Sequence, residues 1–272
     1  MYMQQISTEV IKIDSVYPEY GQIERAASLI RTGELVVFPT ETVYGLGANA
    51  LQTLAVERIF AAKGRPFSDP LIVHIADERA LEDLVSELPA HAKQLTQAFW
   101  PGPLTLILPR SPLVPERVSA GLATVAVRMP RHPVALALIR AAGVPVAAPS
   151  ANRFMHVSPT TAQHALADLG GRVPLILDGG PCEVGVESTV LDLCAATPTI
   201  LRPGGTSLEA LRTVLPDVQI DTRHNITHRD DNTAAQKAPG QLLTHYAPAI
   251  PLLLFDGLSL IHISEPTRQA EI

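Results

Sequence analysis

The chain has only two cysteines, Cys182 and Cys194, in 272 residues. One pair makes no disulfide framework, and neither cysteine belongs to a spaced Cys/His set, so no metal ligands are assigned. A reducing, cytoplasmic setting is the expectation. Aromatic residues make up 4% of the chain, so the core must come mostly from Leu, Val, Ile and Ala, and few rings remain to stack on unpaired bases. Positive charge is scarce: the formal net charge is -6, which disfavours tight nonspecific nucleic-acid binding except through a local basic groove. No apolar run reaches the roughly 20 residues that cross a bilayer. The first ten residues lack a basic-then-apolar leader pattern, and no membrane association is expected. Also missing are G-x-x-x-x-G-K-[ST], H-E-x-x-H and G-x-S-x-G, which excludes P-loop, zincin and hydrolase-elbow chemistry.

What is present is an ordinary globular composition, 46% hydrophobic and 18% charged, enough for one large domain or two modest ones. Periodicity predicts helices over residues 21–31, 53–62, 77–88, 92–100, 133–142, 161–169 and 207–214. Strands are predicted over 34–38, 71–76, 104–108, 124–128, 144–148, 174–177, 188–193 and 199–201. Alternating strands and helices imply an α/β or α+β layered fold, and strands arriving in close pairs near 104–128 and 175–201 imply a mixed sheet. Residues 220–249 turn polar and lose apolar periodicity, as an exposed linker would. Residues 250–257 start a new apolar run like the first strand of a second domain. Residues 258–272, beginning L-S-L-I-H-I-S-E-P-T-R, resemble a translated sequencing adapter and are expected to be non-native.

Polar clusters recur where apolar strands end, the usual place for a ligand crevice in α/β sheets. Residues 39–47, P-T-E-T-V-Y-G-L-G, follow the first predicted strand. If the segment stays extended, the hydroxyls of Thr40 and Thr42 share a face; otherwise they cap a turn. In K-G-R-P at 63–66, an extended backbone would set Lys63 and Arg65 on one side, suited to a multiply charged anion; a solvated basic turn is the alternative. His74 lies inside an apolar strand, where a satisfied core histidine is the commoner outcome. Thr124 and Arg128 alternate with Val125 and Val127, so Arg128 can clamp a carboxylate from a strand end or form a rim ion pair. Ser150 and Asn152 follow another strand, and Asn152 suits a base edge, a ribose or a capping turn. Ser188 starts a strand after Gly185. Arg202 precedes Pro203, Gly204 and Gly205, where a ligand phosphate can approach the backbone closely.

Together with D-P-L-I-V-H at 69–74, W-P-G-P-L-T at 100–105, V-A-V-R-M-P at 125–130, A-P-S-A-N at 148–152, V-E-S-T-V at 186–190 and L-R-P-G at 201–204, these segments resemble the YrdC-like family. Within it they resemble the threonylcarbamoyl-AMP synthases. T-H-Y-A-P at 244–248 resembles the linker of the two-domain form. The resemblance implies a twisted mixed sheet with flanking helices around a large cavity, and a YrdC-like catalytic domain over residues 1–219. It further implies a chain truncated just inside a Rossmann-like C-terminal domain. The implied reaction joins L-threonine, bicarbonate or CO₂, and ATP into threonylcarbamoyl-AMP and pyrophosphate. The product passes to a threonylcarbamoyl-transferase complex that modifies tRNA, so tRNA is an indirect partner.

By the same resemblance, Lys63 and Arg65 are catalytic, near the phosphates and carbamate. Thr40, Thr42, His74, Arg128, Ala148 and Ser188 line the threonine end. Arg65, Asp69, Thr124, Ser150, Asn152, Ser158 and Arg202 meet ATP, with His245 or Tyr246 as a lid. Mg²⁺ is expected to arrive bound through ATP. The competing expectations are an RNA-binding module without ATP turnover, and the carbamoyl-transfer domain of hydrogenase maturation proteins. Nothing in the chain resembles the acylphosphatase or zinc-finger segments of the latter.

Overall fold

The computed structural model describes residues 6–221 together with Gln236 and Ala238. Eleven strands form one mixed sheet: β1 (Glu9–Lys12), β2 (Val36–Phe38), β3 (Gly45–Asn49), β4 (Ile72–His74), β5 (Leu104–Pro109), β6 (Thr124–Arg128), β7 (Val146–Ala147), β8 (Leu175–Asp178), β9 (Thr189–Asp192), β10 (Thr199–Arg202) and β11 (Gln219–Ile220). The helices are α1 (Tyr20–Arg31), α2 (Thr53–Lys63), α3 (Leu81–Leu84), α4 (Ala90–Phe99), α5 (Pro133–Ala142), α6 (Ala162–Leu169) and α7 (Leu208–Arg212). The strand order is β1-β8-β2-β3-β7-β4-β6-β5-β9-β10-β11. Parallel pairs such as β4/β6 and β5/β9 alternate with antiparallel ones such as β3/β7 and β5/β6. The mixed α/β architecture expected from the strand spacing is the one observed.

Strand alternation divides the sheet into two unlike faces. One face carries Val37, Leu46, Val73, Val127, Leu106 and Leu191 into the main core, with Ile59 and Phe60 of α2 and Leu95 of α4. On the other face α1 and α5 cover only part of the sheet. Ile23, Ala26, Ala27 and Ile30 of α1 and Val134, Leu138 and Ile139 of α5 pack on Val36, Phe38, Val146 and Leu175. That helical cover stops at β7. Over β4, β6, β5 and β9 the same face bears Ile72, His74, Ala126, Arg128, Thr105, Ile107 and Val190, and it is here that a trough forms.

Three strands escape the sequence patterns. β1 is short and largely exposed, and β11 has two residues. β3 reads G-L-G-A-N, a composition poor in strand formers. It is a strand because of its neighbours: a Cβ on Gly47 would lie 2.7 Å from a Phe38 ring carbon and 2.9 Å from Val146 Cγ1. The helix predicted over 77–88 is shorter than expected. Asp77 caps a 3-10 turn, Glu78–Ala80, that runs into α3, and the helix stops when Val85 turns extended. Its backbone then bridges to Arg110 beside β5. Nor is 63–66 extended. Lys63 is the last residue of α2, and Gly64 closes the helix at φ 64°. The Arg65 amide reaches back to Phe60 O and the Gly64 amide to Ala61 O, a glycine-terminated helix end that points the two cations in different directions.

Candidate active site

The trough is lined by Thr40, Thr42, Gly45 and Arg65, by Ile72 and His74 of β4, by Arg128 of β6, by Ala148, Pro149 and Ser150 after β7, by Glu187 and Ser188 before β9, and by Arg202 of β10. It thus gathers Thr40, Thr42, His74, Arg128, Ala148, Ser150, Ser188 and Arg202 from the ends of separate strands and Arg65 from the turn that closes α2.

The two threonines both line the trough and cap a turn. Thr40 Oγ1 donates to Val43 O at 2.6 Å and accepts from the amides of Thr42 and Val43. With its own proton spent, it must be the acceptor of the 2.9 Å contact with Thr42 Oγ1. Thr42 Oγ1 in turn accepts from Arg128 Nη1 at 3.0 Å. The chain Arg128–Thr42–Thr40–Val43 therefore has one direction. Arg128 Nε donates to Gly102 O at 3.1 Å, and Nη2 lies 2.7 Å from Glu41 Oε1, both side chains being almost fully buried. Burial holds the guanidinium below its ordinary pKa, with Glu41 opposing that trend. His74 pairs directly with Arg128 across β4/β6. Burial, then the adjacent guanidinium, pushes the imidazole down to about 3, so His74 is neutral in the folded protein at physiological pH.

Arg202 reaches the trough through an irregularity in β10. Register passes from Ile200↔Leu191 to Arg202↔Val190, so Leu201 and Arg202 together oppose one residue. Such a bulge re-aims a side chain that strict alternation would send into the core. Arg202 Nη2 donates to Ser188 O at 2.9 Å and to Ser188 Oγ at 3.2 Å, and Nε to Ser188 O at 3.2 Å. Ser188 Oγ also lies 2.8 Å from Thr105 Oγ1.

Arg65 lines the trough from one edge, and the remaining predicted residues sit behind or beside the lining. Arg65 is ion-paired with fully buried Asp69 at 3.0 Å and donates to Pro70 O at 2.7 Å. Lys63 Nζ donates to Ser150 O at 2.5 Å and to Asn152 O. It ties the end of α2 to the loop that carries Ser150, and burial, followed by the nearby Arg65 charge, drives its pKa well down. Asn152 commits both amide protons to the carbonyls of Arg153 and His156, while its Oδ1 accepts from Ser150 Oγ at 2.5 Å. Ser158 Oγ donates to Glu187 Oε1. Thr124 stands at the opposite end of β6 from Arg128, beside Pro109. His245 and Tyr246 lie outside the described residues.

Sequence reasoning passed over Glu41, Thr105 and Glu187. Each had a signal: Glu41 is the one carboxylate inside P-T-E-T-V, Thr105 is the polar residue interrupting L-T-L-I-L, and Glu187 precedes Ser188. Three guanidinium groups and five hydroxyls (those of Thr40, Thr42, Ser150, Ser188 and Thr105) face or flank one trough; Glu41 and Asp69 pair with Arg128 and Arg65, and Glu187 is the carboxylate among the lining residues. The forked N–H donors of the three guanidinium groups suit a ligand carrying several anionic oxygens.

The state of His74 makes acid stability measurable. A histidine with its folded pKa near 3 and its unfolded pKa near 6.5 stays neutral when folded and takes a proton when unfolded. Stability from this residue is therefore present above pH 6.5 and is lost as pH falls toward 3. At pH 5 the loss is about 2 kcal/mol relative to high pH. His132, also depressed by burial, contributes in the same direction. Urea unfolding at pH 7.5 and pH 5 is expected to show a smaller drop for His74→Gln than for the unchanged protein. Equal drops would mean His74 is not held neutral.

Fold and trough together define an α/β domain whose strand-end trough is suited to a polyanionic ligand. The Sua5/YciO/YrdC family, described under telomere recombination, matches residues 28–204. The threonylcarbamoyl-AMP synthase C-terminal domain matches residues 206–271. The chain is 53% identical over 237 residues to the threonylcarbamoyl-AMP synthase of Bacillus subtilis, covering 87% of this chain and 67% of that protein. A solved structure of Pyrococcus abyssi Sua5 complexed with L-threonine is 50% identical, with a TM-score of 0.84, over 88% of this chain and 69% of that one. Escherichia coli YciO is more distant, at 26% identity and TM-score 0.68, over 75% of this chain and 99% of that one. The chain belongs to the Sua5/YciO/YrdC family. Among the described residues no helix is long and apolar enough to cross a membrane.

Proposed function

We propose that the chain is an L-threonylcarbamoyladenylate synthase, making threonylcarbamoyl-AMP and pyrophosphate from L-threonine, bicarbonate or CO₂, and ATP. The observation that carries this reading is the convergence of Arg65, Arg128 and Arg202 with the hydroxyls of Thr42, Ser150 and Ser188 on one trough, in a chain half identical to proteins of that name. The neutral amine of threonine attacks CO₂ and loses a proton, giving a carbamate. A carbamate oxygen then attacks the α-phosphorus of ATP, and pyrophosphate leaves. No covalent enzyme intermediate is required, so the protein's work is positioning and charge neutralisation.

Arg128, with Thr42, Ser188 and neutral His74 around it, takes the threonine carboxylate and orients the amino acid. Arg65 and Arg202, on either side, take the triphosphate, and Ser150 marks the nucleotide side. Lys63 acts from behind by holding the Ser150 loop in place. Mg²⁺ would arrive with ATP and be held largely by phosphate oxygens and water. Among the described residues no group of three or more His, Cys, Asp or Glu is arranged to hold a metal ion. A cytoplasmic location, transfer of the product to a threonylcarbamoyl-transferase complex and indirect service to tRNA belong to the same proposal.

The test is incubation of the purified protein with ATP, bicarbonate and L-threonine, followed by pyrophosphate assay and mass spectrometry. Threonylcarbamoyl-AMP that disappears when any one substrate is omitted is the expected product. Salt-sensitive RNA binding with no pyrophosphate release would favour the RNA-binding reading instead.

A further inference from the structure

Glu41 is 2% exposed, and the proposed reaction makes no use of it. Its surroundings define a role. Its Oε1 lies 2.7 Å from Arg128 Nη2, yet among the described residues no aligned hydrogen bond reaches either carboxylate oxygen. A buried carboxylate without aligned donors depends on a facing charge. Arg128 does not depend on Glu41 for direction. Its Nε–Gly102 and Nη1–Thr42 hydrogen bonds already fix the plane of the guanidinium. The third contact supplies charge. The other groups facing Arg128 offer no replacement anion: Arg202 is a cation, His74 is neutral and next to it, and burial pushes the Cys182 thiol up to about 12, so it too is neutral.

We propose that Glu41 is the resident counter-ion of Arg128: it neutralises the buried guanidinium while the trough is empty and, by the same charge, weakens the hold on an incoming amino-acid carboxylate. This rests on the reading of Arg128 as the threonine-carboxylate ligand. Without Glu41, the substrate carboxylate becomes the first anion to meet a buried cation, and its binding is coupled more strongly to folding. Glu41 therefore sets threonine affinity below the tightest value the trough can reach, a setting that favours turnover over accumulation of bound substrate.

Glu41→Gln removes the charge and keeps an oxygen toward Nη2. Thermal unfolding with and without L-threonine, threonine titration and steady-state kinetics are measured on this variant and on the unchanged protein. The ligand-free variant is expected to melt roughly 5–15 °C lower, as a buried unpaired charge requires. Its threonine-induced rise in Tm is expected to exceed that of the unchanged protein. Its threonine Kd and KM should be about tenfold lower, a factor worth about 1.4 kcal/mol, with no gain in kcat. A purely structural Glu41 would lower the ligand-free Tm and leave the threonine shift and Kd unchanged or weaker, which overturns the proposal. Absence of any threonine shift in the unchanged protein would instead overturn the assignment of Arg128. Should Glu41→Gln fail to fold, Glu41→Asp decides: it keeps the charge but withdraws it from Nη2. A threonine Kd tighter than that of the unchanged protein supports the proposal, and an equal or weaker one overturns it.

Discussion

Arg128→Ala is expected to lower kcat/KM for threonine-dependent pyrophosphate release by about 30- to 5,000-fold, the range that follows from roughly 2–5 kcal/mol for truncating a buried charged contact. The size of the effect follows from the setting. Arg128 is held on three sides, by Gly102 O, Thr42 Oγ1 and Glu41, so its remaining N–H groups meet a ligand already oriented. The alanine also strands Glu41 as an unpaired buried carboxylate, which costs about 3–5 kcal/mol of stability. Activity and folding must therefore be separated. The double variant Glu41→Gln/Arg128→Ala removes both charges and is expected to recover much of the stability and none of the activity. Arg128→Lys keeps a cation but loses the planar fork, and is expected to recover stability better than turnover. A folded Arg128→Ala protein with more than half the original turnover would remove Arg128 from the site.

The second large effect is expected at a residue that has no side chain. Gly204→Ala places a Cβ 2.5 Å from Ser188 C and 2.6 Å from Thr189 N, and closer still to Glu187 O. These are backbone atoms, which cannot swing aside as a side-chain end would. The segment 187–189 must shift, and with it Ser188 and the Arg202 contacts that depend on it. A loss of about 3 kcal/mol or more in stability is expected from overpacking of this kind. A displacement near 1 Å at Ser188 is expected to lower kcat/KM by about 100-fold. Urea unfolding and kinetics on the same preparation measure both. Gly21→Ala, where a Cβ meets nothing within 4 Å, serves as the control and should match or slightly exceed the parent in stability. A Gly204→Ala protein as stable and active as that control would mean the β10 end does not press on the Ser188 segment.

Much of this arrangement can be read from the residues, and most of the parts that cannot share a cause. The patterns T-V-A-V-R and P-V-A-L-A-L-I-R-A-A coincide with β6 and α5 at both ends, because local alternation or helical period agrees there with burial. β3 is invisible to the same logic. Its Gly47 is required by Phe38 and Val146, residues that it meets only once the sheet has formed. Lys63 and Arg65 look like a matched pair in sequence, yet the turn at Gly64 sends one into carbonyls and the other to Asp69. Arg202 illustrates the converse. Strict alternation would turn it away from the trough, and only the bulge in β10 brings it in. Glu41 and Thr105 were hidden by company, the first between two threonines and the second within an apolar strand. For β3, Arg202, Glu41 and Thr105 the deciding contact is long-range and no local pattern encodes it, whereas at 63–66 it is local, the left-handed turn at Gly64 and the Arg65–Asp69 pair four residues apart.

A crystal structure of the protein with L-threonine and a non-hydrolysable ATP analogue tests the central claim most directly. The threonine carboxylate is expected within hydrogen-bond distance of Arg128 and Ser188, the triphosphate between Arg65 and Arg202, and the α-phosphorus facing the threonine amino group. Threonine and nucleotide bound at separate surfaces, or threonine bound away from Arg128, would contradict it.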